Sequence, residues 1–131
     1  MEQITKRLLP GQDLKDEIEK IVQKNQIKAG VLLSIVGSLA KMQLRIADGV
    51  TVKDWQRQFE IVSGTGTLSQ AGCHIHISAA GTDGIVFGGH LKQGCIIGTT
   101  AEIVVLKFED VEYKRLPDNS TGYDELSISV K

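Results

Sequence analysis

Between Ile61 and Ala101 the chain carries only two formal charges, Asp83 and Lys92, and nine of its fourteen glycines fall in the same stretch. A segment so poor in charge does not read as a solvated face. It either builds the core of a sheet or meets another subunit, where charged residues are depleted. Inside it, Cys73–Ser78 and Gly84–Gly88 read as strands separated by Gly81-Thr82-Asp83-Gly84, a strong hairpin signal.

The flanking sequence supplies the rest of a small fold. Leu14, Ile18, Ile21 and Val22 recur at helical spacing and predict a helix over 12–25, with Asp13 as N-cap and Lys24-Asn25 in the last turn. Val31–Val36 reads as a buried strand, Gly37-Ser38 as a break, and the alternation of Met42, Leu44 and Ile46 with Lys41, Gln43 and Arg45 as a half-exposed strand ended by Asp48-Gly49. Phe59–Val62, Glu102–Phe108 and Val111–Leu116 complete the strands. Short turns between strands favour antiparallel pairing. The expected class is α+β, a mostly antiparallel β-sheet with a few covering helices, forming a single compact domain over residues 1–131.

Composition excludes several functions. With 131 residues and 41% apolar content the chain can bury a core without staples. A net charge of -1 gives no large field for nucleic acid or anionic membrane. No apolar run is long enough to span a bilayer, and the N-terminal residues lack a secretory h-region, so the expectation is a cytoplasmic chain. Cys73 and Cys95 are then expected as free thiols. Gly64-Thr65-Gly66 opens like a dinucleotide fingerprint but Ser69 breaks it, and no phosphate loop or nucleophile elbow is present.

The three histidines, His74, His76 and His90, all lie in the uncharged stretch. Alternate residues of a strand share a face, so His74 and His76 can approach one ion. If the two strands pair as a hairpin, His90 comes near them, and Gly88-Gly89 permits close approach of backbones. Three neutral imidazoles suit zinc or another divalent transition metal and leave an open position for water or a small-molecule ligand. The same residues could instead be ordinary polar strand positions or a pH-sensitive interfacial cluster.

Glu60-Ile61-Val62-Ser63 followed by Gly66-Thr67 resembles the E-[LI]-[LV]-S-L-x-G-[TS] signature of the plant-and-prokaryote-conserved (PPC) domain. The H-x-H strand, Asp83-Gly84-Ile85-Val86-Phe87-Gly88-Gly89-His90, Gly37-Ser38-Leu39, Glu102-Ile103-Val104-Val105 and Thr121-Gly122-Tyr123-Asp124-Glu125-Leu126 also fit, so the resemblance spans nearly the whole chain. One departure is Gly64, where the family usually has Leu and where looser packing is expected. The resemblance implies a homotrimer of the prokaryotic single-domain type, with zinc held by His74, His76 and His90. The DNA-binding hook that precedes plant members is absent here, so DNA as a partner is not supported by charge. Three functions remain open: a metal-binding domain that takes a small ligand, a DNA-associated regulatory or interaction module with structural metal, and a metal-dependent hydrolase or lyase. The last lacks an evident general base, Glu60 being the only carboxylate in the signature. A DNA role would need Lys41, Arg45, Lys53 and Arg57 to gather on one face.

Overall fold

The computed structural model describes residues 1–131. Its helix forms where sequence periodicity places it. One carboxylate oxygen of Asp13 accepts the Asp16 amide at 3.1 Å and the other the Gly94 amide at 2.7 Å, so a single side chain caps α1 (Leu14–Lys24) and ties it to a sheet turn. Asp16 and Glu17 in the first turn and Lys24 in the last complement the helix dipole. Leu14, Ile18, Ile21 and Val22 are buried against the sheet.

The strands are β1 (Glu2–Leu8), β2 (Gly30–Arg45), β3 (Val52–Trp55), β4 (Phe59–Leu68), β5 (His74–Gly81), β6 (Val86–Leu91), β7 (Ile96–Lys107), β8 (Val111–Asp118) and β9 (Tyr123–Val130). Seven of them form one antiparallel sheet in the order β1-β7-β2-β4-β5-β6, with β3 on β2. The end of β2 also pairs with β6, through Leu44↔Leu91 and Arg45↔His90, so β2, β4, β5 and β6 close into a small barrel. β8 and β9 form a separate hairpin. The mostly antiparallel α+β architecture is as expected, but one helix covers the sheet rather than a few.

The break expected at Gly37-Ser38 does not interrupt β2. The strand runs through 16 residues and absorbs the irregularity as bulges against β7. Gly37 is required there because a Cβ would lie 2.0 Å from the Thr100 carbonyl oxygen. Nor does Gly64 loosen the packing. The space a side chain would take is filled, with Ile35 Cγ2 2.5 Å and Ile77 Cγ2 3.1 Å from the position of a Cβ.

The uncharged stretch is core on one face only. Its inward residues, among them Ile61, Leu68, Ile75, Ile77, Leu91 and Ile97, are buried in a continuous core. Its outward alternates, including Val62, Thr65, His74 and His76, are exposed. No helix is long and apolar enough to cross a membrane.

Candidate metal centre

The register of β5 and β6 decides what the histidines can do. β5 alternates cleanly, Ile75 and Ile77 inward and His74 and His76 outward. The hairpin turn at Gly81–Gly84 closes with hydrogen bonds of 2.9 Å, and Gly84 sits at φ +80°, which favours glycine. That turn sets His90 directly opposite His76. Gly89 lets β6 lie against β2, since a Cβ would meet the Arg45 carbonyl oxygen at 2.6 Å.

The result is a triangle of imidazoles. Ring centroids are 4.9 Å apart for His74–His76, 5.2 Å for His74–His90 and 5.6 Å for His76–His90. One donor nitrogen from each lies within 4.8 Å of the others. The Nε2 atoms of His74 and His76 are 3.1 Å apart, close to the edge of a tetrahedral zinc site, roughly 3.3 Å for bonds of roughly 2.0–2.1 Å. A hydrogen bond between those nitrogens needs one of them to carry the proton; two neutral nitrogens sharing one cation would have a similar separation. Nδ1 of His90 is buried with no hydrogen-bond partner, a state that native proteins rarely leave unanswered.

The electrostatics favour neutral rings. Burial pushes the His90 pKa down to about 4, assisted by Arg45 and then by the other two histidines. Burial, then His76 and Arg115, lower that of His74. Both rings are therefore unprotonated at neutral pH, as ligation demands. The three residues fit a divalent transition metal in donor type and spacing.

The cysteines are not part of the donor set, although Cys73 lines the cleft beside it. Both are free thiols. Cys95 is buried, exchanges hydrogen bonds with the Gln43 backbone, and has its pKa pushed up by burial to about 11. Cys73 donates to the Ser69 carbonyl, and burial raises its pKa. Neither joins the triangle. Glu60 is also remote: it pairs with Ala80, whereas Thr65 pairs with His76, placing Glu60 roughly 15 Å away along β4.

Other groups do surround the histidines. A cleft of about 300 Å³ is lined by His74 and His90, by Arg45 of β2, and by Arg115, Asp124 and Glu125 of the β8–β9 hairpin. Arg115 is held there by donating to Thr67 Oγ1 at 2.9 Å. Sequence reasoning weighed Arg45 only for DNA and gave Arg115 no role. The Tyr123-Asp124-Glu125 motif was visible, but not its place beside the histidines. The four basic residues considered for DNA do not share a face. Arg45 stands opposite Val52 and Lys53 opposite Leu44, so the two point to opposite sides of the sheet. Arg57 lies over the rings of Phe59 and Phe87, at 5.1 and 5.5 Å.

Residues 1–109 match the Plants and Prokaryotes Conserved (PCC) domain. The chain belongs to that family. The family match ends before the β8–β9 hairpin, so Arg115 and Glu125 lie outside it. Over 122 residues the chain is 44% identical to the bifunctional protein GlmU of Synechococcus sp. (strain JA-3-3Ab), covering 93% of this chain and 20% of that protein. It thus spans a fifth of the length of this curated relative. Among solved structures, this PCC domain is similar to a hypothetical protein from Salmonella enterica, with TM-score 0.96, 35% identity and coverage of 99% of this chain and 94% of that one. It is also similar to a metal-containing protein from Archaeoglobus fulgidus, with TM-score 0.84, 27% identity and coverage of 97% and 94%.

Proposed function

We propose that this PCC domain binds one divalent transition metal, zinc foremost, through His74, His76 and His90, and presents its open coordination position to a small ligand. The observation that carries the reading is the convergence of three imidazoles on one point, with a buried Nδ1 of His90 that nothing in the chain satisfies. The similarity to the metal-containing protein from Archaeoglobus fulgidus supports it. Zinc bound there would act as a Lewis acid toward whatever fills its fourth position. The test is elemental analysis of untagged protein beside a His76→Ala variant. Near-stoichiometric metal that disappears in the variant supports the site. Metal-free protein, after incubation with zinc at neutral pH and dialysis, overturns it.

The assembly we propose is a homotrimer. Its support is an apolar outer face on neighbouring strands, where Leu33, Val36 and Val62 stand 56%, 57% and 58% exposed. Such clustered apolar exposure marks an interaction surface more often than open solvent. Light scattering should give three times the chain mass, and Val62→Lys should lower it. A monomeric wild type at micromolar concentration would remove the assembly.

A metal-dependent hydrolase or lyase is the second reading, favoured by Glu125, a carboxylate in the same cleft as His74 and His90. Turnover of small esters by zinc-loaded protein that is lost in Glu125→Gln would promote it.

A further inference from the structure

The cleft beside the histidines is lined by two guanidiniums and two carboxylates, yet no ion pair joins them. Arg45 is the cross-strand partner of His90, and such partners have Cβ atoms roughly 4.5–5.5 Å apart on one face. On the other flank Arg115 bonds to Thr67, itself the cross-strand partner of His74. Two guanidiniums therefore bracket the imidazole triangle. Both line the same cleft of about 300 Å³. Neither has a carboxylate within ion-pair distance, because the chain's three ion pairs are Met1–Glu109, Lys15–Glu19 and Lys20–Glu17. Arg45 makes no side-chain hydrogen bond either, although it is half-buried. The two guanidiniums and the carboxylates of Asp124 and Glu125 cancel formally, so a divalent cation on the histidines would leave the cleft net positive.

We infer that the cleft binds a small carboxylate with an adjacent oxygen donor, a 2-hydroxy or 2-oxo acid. Its carboxylate lies on Arg45, whose planar fork matches that group. The neighbouring oxygen fills the open position of the metal. The cleft, at the lower end of the size range for ligand sites, suits a small acid. Asp124 and Glu125 on the facing wall disfavour a polyanion and can accept from a hydroxyl. They also weigh against inorganic phosphate, which at neutral pH is largely a dianion that two carboxylates repel. This inference rests on the metal reading above and names the ligand class of the same site.

The test is calorimetric titration of zinc-loaded, dialysed protein with lactate, propionate, 1,2-propanediol and inorganic phosphate, alongside zinc content and a thermal melt for each protein. Propionate lacks the second donor and propanediol the carboxylate. Lactate should bind at least tenfold more tightly than either and than phosphate. Arg45→Gln should weaken lactate at least tenfold with zinc content and melting unchanged. Arg45→Lys, which keeps the charge but not the fork, should recover only part of that loss. Arg115→Gln provides a second variant should the first not fold. Zinc bound at one equivalent with no lactate binding overturns this inference and leaves the metal site standing. Equal binding of lactate and phosphate overturns the carboxylate assignment. Failure to hold zinc overturns both.

Discussion

The two faces of β5 share a backbone and have nothing else in common. Ile75, Ile77 and Ala79 point inward and are buried in the main core, while His74 and His76, interleaved with them, point outward and are exposed. Folding free energy comes from the inner row through burial, on the order of 1.5–3 kcal/mol for each large aliphatic side chain. The outer row contributes little to stability and holds the donor atoms. A strand with a period of two can separate these tasks completely, because adjacent residues never compete for the same space. The same division explains the uncharged stretch: charge is missing inside because the core excludes it, and missing outside because the outer face carries imidazoles, hydroxyls and valine.

That separation can be broken most severely at Gly66. A side chain there would place its Cβ 2.3 Å from the His74 carbonyl oxygen and 2.9 Å from Ile75 Cα, both backbone. Gly66→Val should push β4 from β5, cost more than about 3 kcal/mol and abolish metal binding as well, since both faces depend on that pairing. Thermal unfolding with zinc analysis reads both effects. Ile75→Ala should sharpen the contrast instead. It removes a buried side chain, costs about 3 kcal/mol in a denaturant melt, and leaves zinc stoichiometry intact. A loss of zinc in this variant would show that the faces are coupled.

Acid should act on the histidine triangle through His90, the half-buried member on β6. Its pKa is lower in the folded chain, about 4, than the usual imidazole value. The unfolded chain therefore takes up the proton first. Stability of the metal-free protein is full above pH 6.5 and declines as pH falls through 6.5 toward 4. Urea midpoints measured across that range should fall with pH in the wild type and fall less in His90→Gln. The smallest effect on stability belongs to His76→Ala, whose side chain is exposed. The metal-free variant should melt within about 0.5 kcal/mol of metal-free wild type while failing to hold zinc.

How much of this was legible in the sequence follows from how far apart the interacting residues are. The H-x-H strand, the Gly81–Gly84 turn and His90 lie within one hairpin, so alternation and turn chemistry were enough to bring the triangle together. The Asp13 cap and the apolar stripe of α1 are equally local. β1 was missed because six of its seven residues are exposed or half-exposed and its polar sequence has no alternation to detect. β2 was divided in two because Gly37 reads as punctuation, while its actual role is to pass close to Thr100, far along the chain. The guanidiniums were invisible as a pair for the same reason. Arg45 reaches His90 only when β2 closes on β6, and Arg115 reaches Thr67 only when the β8–β9 hairpin packs against the sheet.

The closure of the barrel has its own consequence. Only two residue pairs, Leu44↔Leu91 and Arg45↔His90, join β2 to β6, whereas β4 and β5 are joined by eight. That seam is the weakest joint in the ring of strands, and His90 is one half of its last link. An ion gripping His90 together with His74 and His76 would rivet β6 to β5, and an acid bridging from that ion to Arg45 would rivet β6 to β2. The part of the barrel most free to open would then be the part that its occupants fasten shut.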